Sequence, residues 1–259
     1  MLIKEITDYL ESVAPLSLQE DYDNAGLITG DASWECTGIL CTLDITEEVI
    51  QESVDKKCNC IVAHHPIIFR GLKKINGYNL VERSVIAAIK NDIAIYASHT
   101  NLDNIIKGVN GRIADRIGIE NRLILNGEMD IGAGIIGDIT PVSEKQFLEH
   151  LQYQFCLKLV KHTAFTNKPI ERVAVCGGAG SFLISKALAA GADAYVTSDI
   201  KYHEFFGAEG RTLLCDIGHY ESEQFTVGLF RDILLQKFPT FAVLKSEVAT
   251  NPVHYFTGK

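Results

Sequence analysis

Residues 38–66, GILCTLDITEEVIQESVDKKCNCIVAHHP, contain the pattern that decides the fold. The apolar run from Gly38 to Leu43 predicts a buried strand, residues 47–57 have the spacing of an amphipathic helix, and residues 60–63 form a second short apolar run. A strand, a helix and a strand in this order predict a βαβ unit with parallel strands. The two histidines that follow the second strand then lie at the carboxyl edge of the sheet, where α/β proteins bind their ligands.

The same alternation of helices and strands continues along the rest of the chain. Residues 2–14 predict an opening helix that ends at Pro15, and a Gly-rich, β-like texture around residues 123–140 indicates a domain boundary. We therefore predict an α/β protein of two domains, each with a mostly parallel or mixed sheet flanked by helices. Residues 1–125 plus 216–259 form the predicted metal-binding domain, and residues 126–215 form the second.

Further helices and strands are predicted along the chain. The helices span residues 80–90, 108–117, 181–190 and 221–236. The strands span residues 93–97, 172–176, 194–197, 212–215 and 240–246, and the last of these is a candidate to return to the first sheet.

Composition excludes several classes of protein. The 259 residues are 47% hydrophobic and 22% charged, which is typical of globular proteins, and no apolar run approaches the roughly 18 residues that span a bilayer. The first residues lack the layout of a secretion signal, so we expect a cytoplasmic protein without a membrane partner. The formal net charge of −9 disfavours nucleic acid as a partner. Seven scattered cysteines indicate reduced thiols, and the spacing of Cys58 and Cys60 does not fit a zinc knuckle.

Histidines and acidic residues follow several predicted strands. His64 and His65 follow the strand that ends at Ala63, and His99 and Asp103 follow the strand that ends at Ala97. Asp199, Asp216 and His219 follow strands later in the chain, and His219 is four residues before Glu223 on one face of a predicted helix. Carboxyl ends of parallel strands meet at one edge, so these side chains are candidates to share a cleft.

Each of these features also has a purely structural interpretation. The histidine pair is consistent with surface or capping residues, Asp103 with the cap of the following helix, and the His219/Glu223 pair with a solvated helix contact. The Gly-rich segment 177–180 lacks the third glycine of a dinucleotide fingerprint and is explained by a strand-to-helix turn. A serine hydrolase is disfavoured because no Gly-x-Ser-x-Gly elbow occurs.

Five short motifs stand out along the chain: Asp23-Asn24-Ala25-Gly26-Leu27, Ala63-His64-His65-Pro66, the stretch from Ser98 to Asp103, the segment from Thr197 to His203, and Gly218-His219-Tyr220-Glu221-Ser222-Glu223. Taken together, these motifs resemble the NIF-three-like family, whose members are also called GTP cyclohydrolase I type 2 homologues. The resemblance extends from end to end of the chain, and Ser198 is the one departure, where glycine is common in the family.

The resemblance implies two divalent metal ions per subunit. It implies that His65, Asp103 and Glu223 hold one ion, that His64 and His219 hold the second, and that Glu223 bridges the two. It also implies a toroidal homohexamer. Mixed histidine and carboxylate ligands suit zinc, iron or manganese.

Two hypotheses about function follow from these residues. The first is a metal-dependent hydrolase that acts on a nucleotide-like or phosphorylated small molecule, because paired ions lower the pKa of water and clamp substrate oxygens. In this hypothesis His99, Lys201 and His203 are catalytic candidates that move protons or bind an anionic group. The alternative is a metal-binding interaction or assembly protein without turnover.

Overall fold

The computed structural model describes residues 1–256, in which helices and strands alternate along most of the chain. The predicted fold class is confirmed, because two mixed sheets are flanked by helices. None of the helices in this range has the length and apolar character needed to cross a bilayer. In chain order the elements are α1 (Ile3–Val13), β1 (Gly26–Thr29), β2 (Ile39–Thr42), α2 (Glu47–Asp55), β3 (Cys60–Ala63), α3 (Leu80–Lys90), β4 (Ala94–Ala97), α4 (Thr100–Asp103), α5 (Val109–Ile117), β5 (Glu120–Glu128), β6 (Ile131–Val142), α6 (Glu144–Gln154), β7 (Lys161–His162), β8 (Ile170–Ala179), α7 (Ile184–Ala189), β9 (Ala194–Ser198), β10 (Leu213–Asp216), α8 (His219–Glu223), α9 (Thr226–Lys237) and β11 (Val243–Lys245).

The first compact unit comprises Met1–Leu102 and Thr226–Pro252. Its five-stranded sheet has the order β1-β4-β3-β2-β11, in which only the edge strand β1 is antiparallel to its neighbour. Strands β2, β3 and β4 are buried along their whole length, which accounts for their short, continuous apolar runs. The last strand, β11, pairs with β2 and so returns to the first sheet.

The second compact unit comprises Asp103–Phe225 and residues 253–256. Its six-stranded sheet has the order β5-β6-β8-β9-β10-β7, with parallel pairing from β8 to β10 and antiparallel pairing elsewhere. These units divide the chain at residues 102 and 225 rather than at 125 and 215. Strand β5 pairs with β6, and β10 pairs with β9, so both strands belong to the second sheet.

Cysteines lie almost entirely inside the two units. Six of the seven thiols are free and buried, and only Cys156, which follows α6, is exposed. Burial raises the pKa of the Cys41 and Cys215 thiols well above the ordinary value. Cys41 and Cys215 are therefore protonated apolar core residues at neutral pH.

Candidate metal centre

Three histidine rings meet at the carboxyl edge of the first sheet. Strands β3 and β4 are parallel neighbours in which Ala63 pairs with Ala97, so the residues that follow them lie side by side. The ring centroid of His99 is 5.1 Å from that of His64 and 5.4 Å from that of His65. One nitrogen from each ring lies within 4.8 Å of a nitrogen of the other two. The strand-end rule thus correctly predicts that these three side chains come together.

In two of these histidines, an acceptor fixes which ring nitrogen carries the proton. His64 is fully buried, and its Nδ1–H donates to the backbone carbonyl of Ser98 at 3.0 Å. His65 Nδ1 lies 2.7 Å from Asp44 Oδ1, and the Thr250 hydroxyl donates to the other oxygen of that carboxylate. With Nδ1–H used in this way, the lone pair of each Nε2 is the one that a metal ion can take.

His99 is oriented by a buried carboxylate from the early Asp-Asn-Ala-Gly-Leu motif. Its Nδ1 lies 2.8 Å from Asp23 Oδ1, and the backbone N–H and hydroxyl of Thr100 donate to the second oxygen. Burial alone would raise the pKa of the Asp23 carboxyl, but the hydrogen bonds from His99 and Thr100 outweigh burial and bring the pKa down to about 2. Asp23 is therefore ionised at neutral pH and accepts a hydrogen bond from the Nδ1–H group of His99.

The second unit contains its own pairing of histidine and carboxylates. His219 begins α8, and its Nε2 lies 3.1 Å from Oε2 of the buried Glu223, one turn later. Its Nδ1 lies 2.7 Å from Asp199 Oδ2, in the loop after β9. Two atoms that ligate one ion at about 2.0–2.2 Å lie roughly 3–3.5 Å apart, so the 3.1 Å between Nε2 of His219 and Oε2 of Glu223 is compatible with two ligands of one ion.

Gly178, at the end of β8, leaves room for the Glu223 carboxylate. A Cβ atom at this position would lie 2.3 Å from Glu223 Oε1, and the residue has a φ of +61°. The Gly178 backbone N–H donates to Ser222 Oγ at 3.0 Å, which ties β8 to α8. Besides its interpretation as a turn, the Gly-rich segment therefore leaves the space that the carboxylate of a candidate ligand occupies.

Gly178→Ala is expected to weaken divalent metal binding about tenfold or more, because the new methyl group displaces the Glu223 carboxylate. Gly191→Ala is the matched control, since Gly191 has a φ of +75° and a Cβ atom at that position would have no neighbour within 4 Å. Both variants acquire the strain of a left-handed residue, but only the first has the clash. Competition with a chromogenic chelator measures the affinity, and equal affinities for the two variants would contradict this role of Gly178.

The charges of Asp103 and Glu223 both raise the pKa of the Cys176 thiol in the second unit. Burial raises the pKa of this thiol well above its ordinary value, and the negative charges of Asp103 and Glu223 raise it further. The two carboxylates therefore place negative charge in the same neighbourhood, which a bound cation would neutralise. This observation is consistent with the predicted ligand roles of both residues.

Lys201 and His203 lie at the start of a 3₁₀ helix, Tyr202–Ala208. The backbone N–H of Lys201 donates to Glu204 Oε2 at 2.8 Å, which begins that helix. The His203 ring contacts Tyr202, at 5.1 Å between centroids, and lines a cavity of about 460 Å³. The catalytic roles of Lys201, His203 and His99 stay predictions.

Sequence reasoning does not assign the acceptors that orient the histidines. Asp44 follows β2 at the same sheet edge as His65, so the strand-end rule contains the signal for it. The sequence singles out Asp23 only as part of a motif, and Asp199 only as a residue at a strand end. Carboxylate or carbonyl acceptors behind histidine Nδ1 are the usual second layer of a metal site, so the donor set fits a divalent ion.

Comparison with known proteins gives a consistent result over the whole chain. The Duf34/NIF3 (NGG1p interacting factor 3) family profile matches residues 1–252. A Clostridium acetobutylicum protein named GTP cyclohydrolase 1 type 2 homolog is 32% identical over 85% of this chain and 85% of its own length. A Streptococcus pneumoniae protein of the same name is also 32% identical, over 98% of this chain and its own full length.

Solved structures support the same relationship. The crystal structure of Staphylococcus aureus protein SA1388 superimposes with a TM-score of 0.91 at 27% identity, covering 99% of both chains. Reduced HcgD from Methanocaldococcus jannaschii has a TM-score of 0.80 at 26% identity and covers 96% of this chain and 98% of its own. The resemblance inferred from the sequence is confirmed: the chain belongs to the Duf34/NIF3 family.

Proposed function

We propose that this protein is a metal-dependent hydrolase that acts on a nucleotide-like or phosphorylated small molecule. The observation that carries the proposal is the shared arrangement of four histidines. In His64, His65, His99 and His219, Nδ1 lies against a carbonyl or carboxylate acceptor, so Nε2 is the ring nitrogen that would hold a metal ion, and Nε2 of His219 lies 3.1 Å from Oε2 of Glu223. Curated relatives named GTP cyclohydrolase 1 type 2 homolog support a nucleotide-like substrate.

In this proposal, one set of residues holds the metal ions and another transfers protons. Divalent zinc, iron or manganese at these ligands would polarise a substrate oxygen and lower the pKa of water. Asp44 and Asp199 hold the rings of His65 and His219 in fixed orientations. His99, oriented by Asp23, is suited to pass a proton to or from the substrate, as a base with its own orienting group. Which residues share an ion stays a prediction from the resemblance, as does the homohexamer.

A hydrolysis screen tests this function directly. Metal-loaded wild type is expected to hydrolyse at least one of GTP, other nucleotides and p-nitrophenyl phosphate, and a chelator is expected to abolish turnover until metal is restored. Glu223→Ala is expected to reduce the rate about 100-fold or more, because it removes a buried carboxylate of the metal centre. Glu149→Ala, at an exposed acid on α6, is the matched control and should retain full activity.

A second candidate function is favoured by the description of the family, NGG1p interacting factor 3. In this alternative the protein binds metal and a partner protein without turnover. If metal-loaded wild type hydrolyses no member of the screen while its metal content is normal, the hydrolase proposal fails and this alternative is retained.

A further inference from the structure

Two exposed aromatic rings lie beside the histidine cluster in the first unit. The side chains of Tyr22 and Phe69 are 63% and 44% exposed, and their rings stack with centroids 6.2 Å apart and planes inclined by 27°. The Phe69 ring also meets the His99 ring edge-on, at 5.7 Å and 77°. We call Tyr22 and Phe69 the aromatic shelf.

The loops that carry the aromatic shelf are tied to each other and to the histidines. Asn24 Nδ2 donates to the backbone carbonyl of Ile68 at 2.6 Å, which joins the residue after Asp23 to the residue before Phe69. Asp23 in turn holds the ring of His99 and the backbone of Thr100. The shelf is thereby held beside the cluster by hydrogen bonds on both of its loops, rather than by chance contact of two surface rings.

Exposure alone would not single out these rings, because Tyr78, Tyr153 and Phe206 are also exposed. The aromatic shelf differs in that one of its rings contacts a histidine of the candidate metal centre. Tyr202 and Phe206 form another exposed ring pair, but an exposed pair beside the histidine cluster leaves apolar ring faces in water where a ligand of the metal centre can cover them. Planar heteroaromatic bases stack on such faces, and the stacking tolerates different bases.

Charge around the aromatic shelf is balanced, so it does not by itself select a phosphate. The loop after His65, residues 66–78, carries Arg70, Lys73 and Lys74 and no acidic residue, whereas Glu20, Asp21 and Asp23 lie in the loop that carries Tyr22. The two loops therefore carry three positive and three negative charges. The aromatic shelf, rather than the local charge, is therefore the feature that can distinguish one ligand from another.

We propose that the aromatic shelf binds the planar ring of the substrate, a purine-like heteroaromatic base, and so determines specificity at the candidate metal centre. This inference rests on the proposed function and names its substrate class. A base stacked on Phe69 would have its edge beside His99, the proposed proton carrier. Tyr22 stacks with Phe69 and adds a second ring to the shelf.

The test compares two ligands that differ only by the base, GMP and ribose 5-phosphate, by isothermal titration calorimetry on the full chain. Wild type is expected to bind GMP more tightly than ribose 5-phosphate. Phe69→Leu should weaken GMP binding about tenfold and leave ribose 5-phosphate binding unchanged, because only the stacking partner is lost. Phe69→Tyr keeps an aromatic ring and should retain GMP affinity. Phe182→Leu, at an exposed phenylalanine of the second unit, is the matched control and should behave as wild type.

Equal affinity of wild type and Phe69→Leu for GMP, or equal affinity of wild type for both ligands, would overturn the proposal. A change in native mass of Phe69→Leu would also overturn it, since the rings would then form a contact between copies of the chain. Metal content measured on the same samples separates this test from the hydrolase test. GMP binding through Phe69 without metal or hydrolysis would support the shelf and refute the hydrolase.

Discussion

Protein purified without added metal is expected to carry about two divalent ions per chain, and the double variant His64→Ala/Glu223→Ala is expected to lose most of them. Both side chains are buried, so truncation removes a predicted ligand that solvent does not replace in the same geometry. The His64 ring is held by the Ser98 carbonyl, and Glu223 is held beside His219. Inductively coupled plasma mass spectrometry of wild type and variant measures the loss.

The control for this loss is a double variant at exposed residues of the same types. His162 and Glu149 are both exposed, and His162→Ala/Glu149→Ala should keep the metal content of wild type. Wild type without metal, or the same metal content in both double variants, would contradict the prediction that His64 and Glu223 bind metal. The resemblance to the family would then hold for the fold alone.

Asp216→Ala is expected to lower the free energy of unfolding by about 2–4 kcal/mol, because one buried carboxylate satisfies three donors. The Asp216 side chain is 1% exposed. Its carboxylate accepts hydrogen bonds from the backbone N–H groups of Ile200 and Gly218, and it forms an ion pair with Lys161 at 2.5 Å. Truncation leaves two backbone donors inside the second unit without this acceptor. A fall in the melting temperature of roughly 5–15 °C is the expected readout.

Asp138→Ala provides the matched comparison, because Asp138 pairs with Arg172 at 3.1 Å on the surface and both side chains are substantially exposed. Loss of an exposed pair is expected to cost less than about 1 kcal/mol. If both variants lower the melting temperature equally, the three-donor role of Asp216 is refuted. Since Ile200 follows Asp199 and Gly218 precedes His219, weaker metal binding in Asp216→Ala would also show that this carboxylate positions the candidate ligands.

Local sequence patterns predict much of the first unit. Strand β3 follows the predicted range because its four residues are all buried, and helix α3 follows its range because Asn79 caps it through the backbone N–H of Glu82. Such features depend on neighbouring residues alone. The two-residue strand β7 has no signal of its own, because its existence depends on pairing with β10, more than 50 residues away. The helical periodicity likewise predicts one helix over residues 221–236, where the structure has two, α8 and α9, separated by only two residues.

The candidate site is partly predictable for a similar reason. Strand ends in a parallel sheet are local signals, and they correctly bring His64, His65 and His99 together. The role of Asp44 depends on a side chain orientation and on Thr250, 206 positions later in the chain. The role of Gly178 depends on how closely Glu223 approaches it. Neither approach distance nor orientation is encoded in a short stretch of sequence.

The distribution of the cysteines makes the native chain its own probe of local unfolding. Cys36, Cys41, Cys58 and Cys60 are buried in the first unit, and Cys176 and Cys215 are buried in the second. A thiol reagent added to the folded protein therefore modifies Cys156 first and reaches the other six only as their surroundings open. The order in which those six react distinguishes the opening of one unit from the opening of the other, without any introduced label.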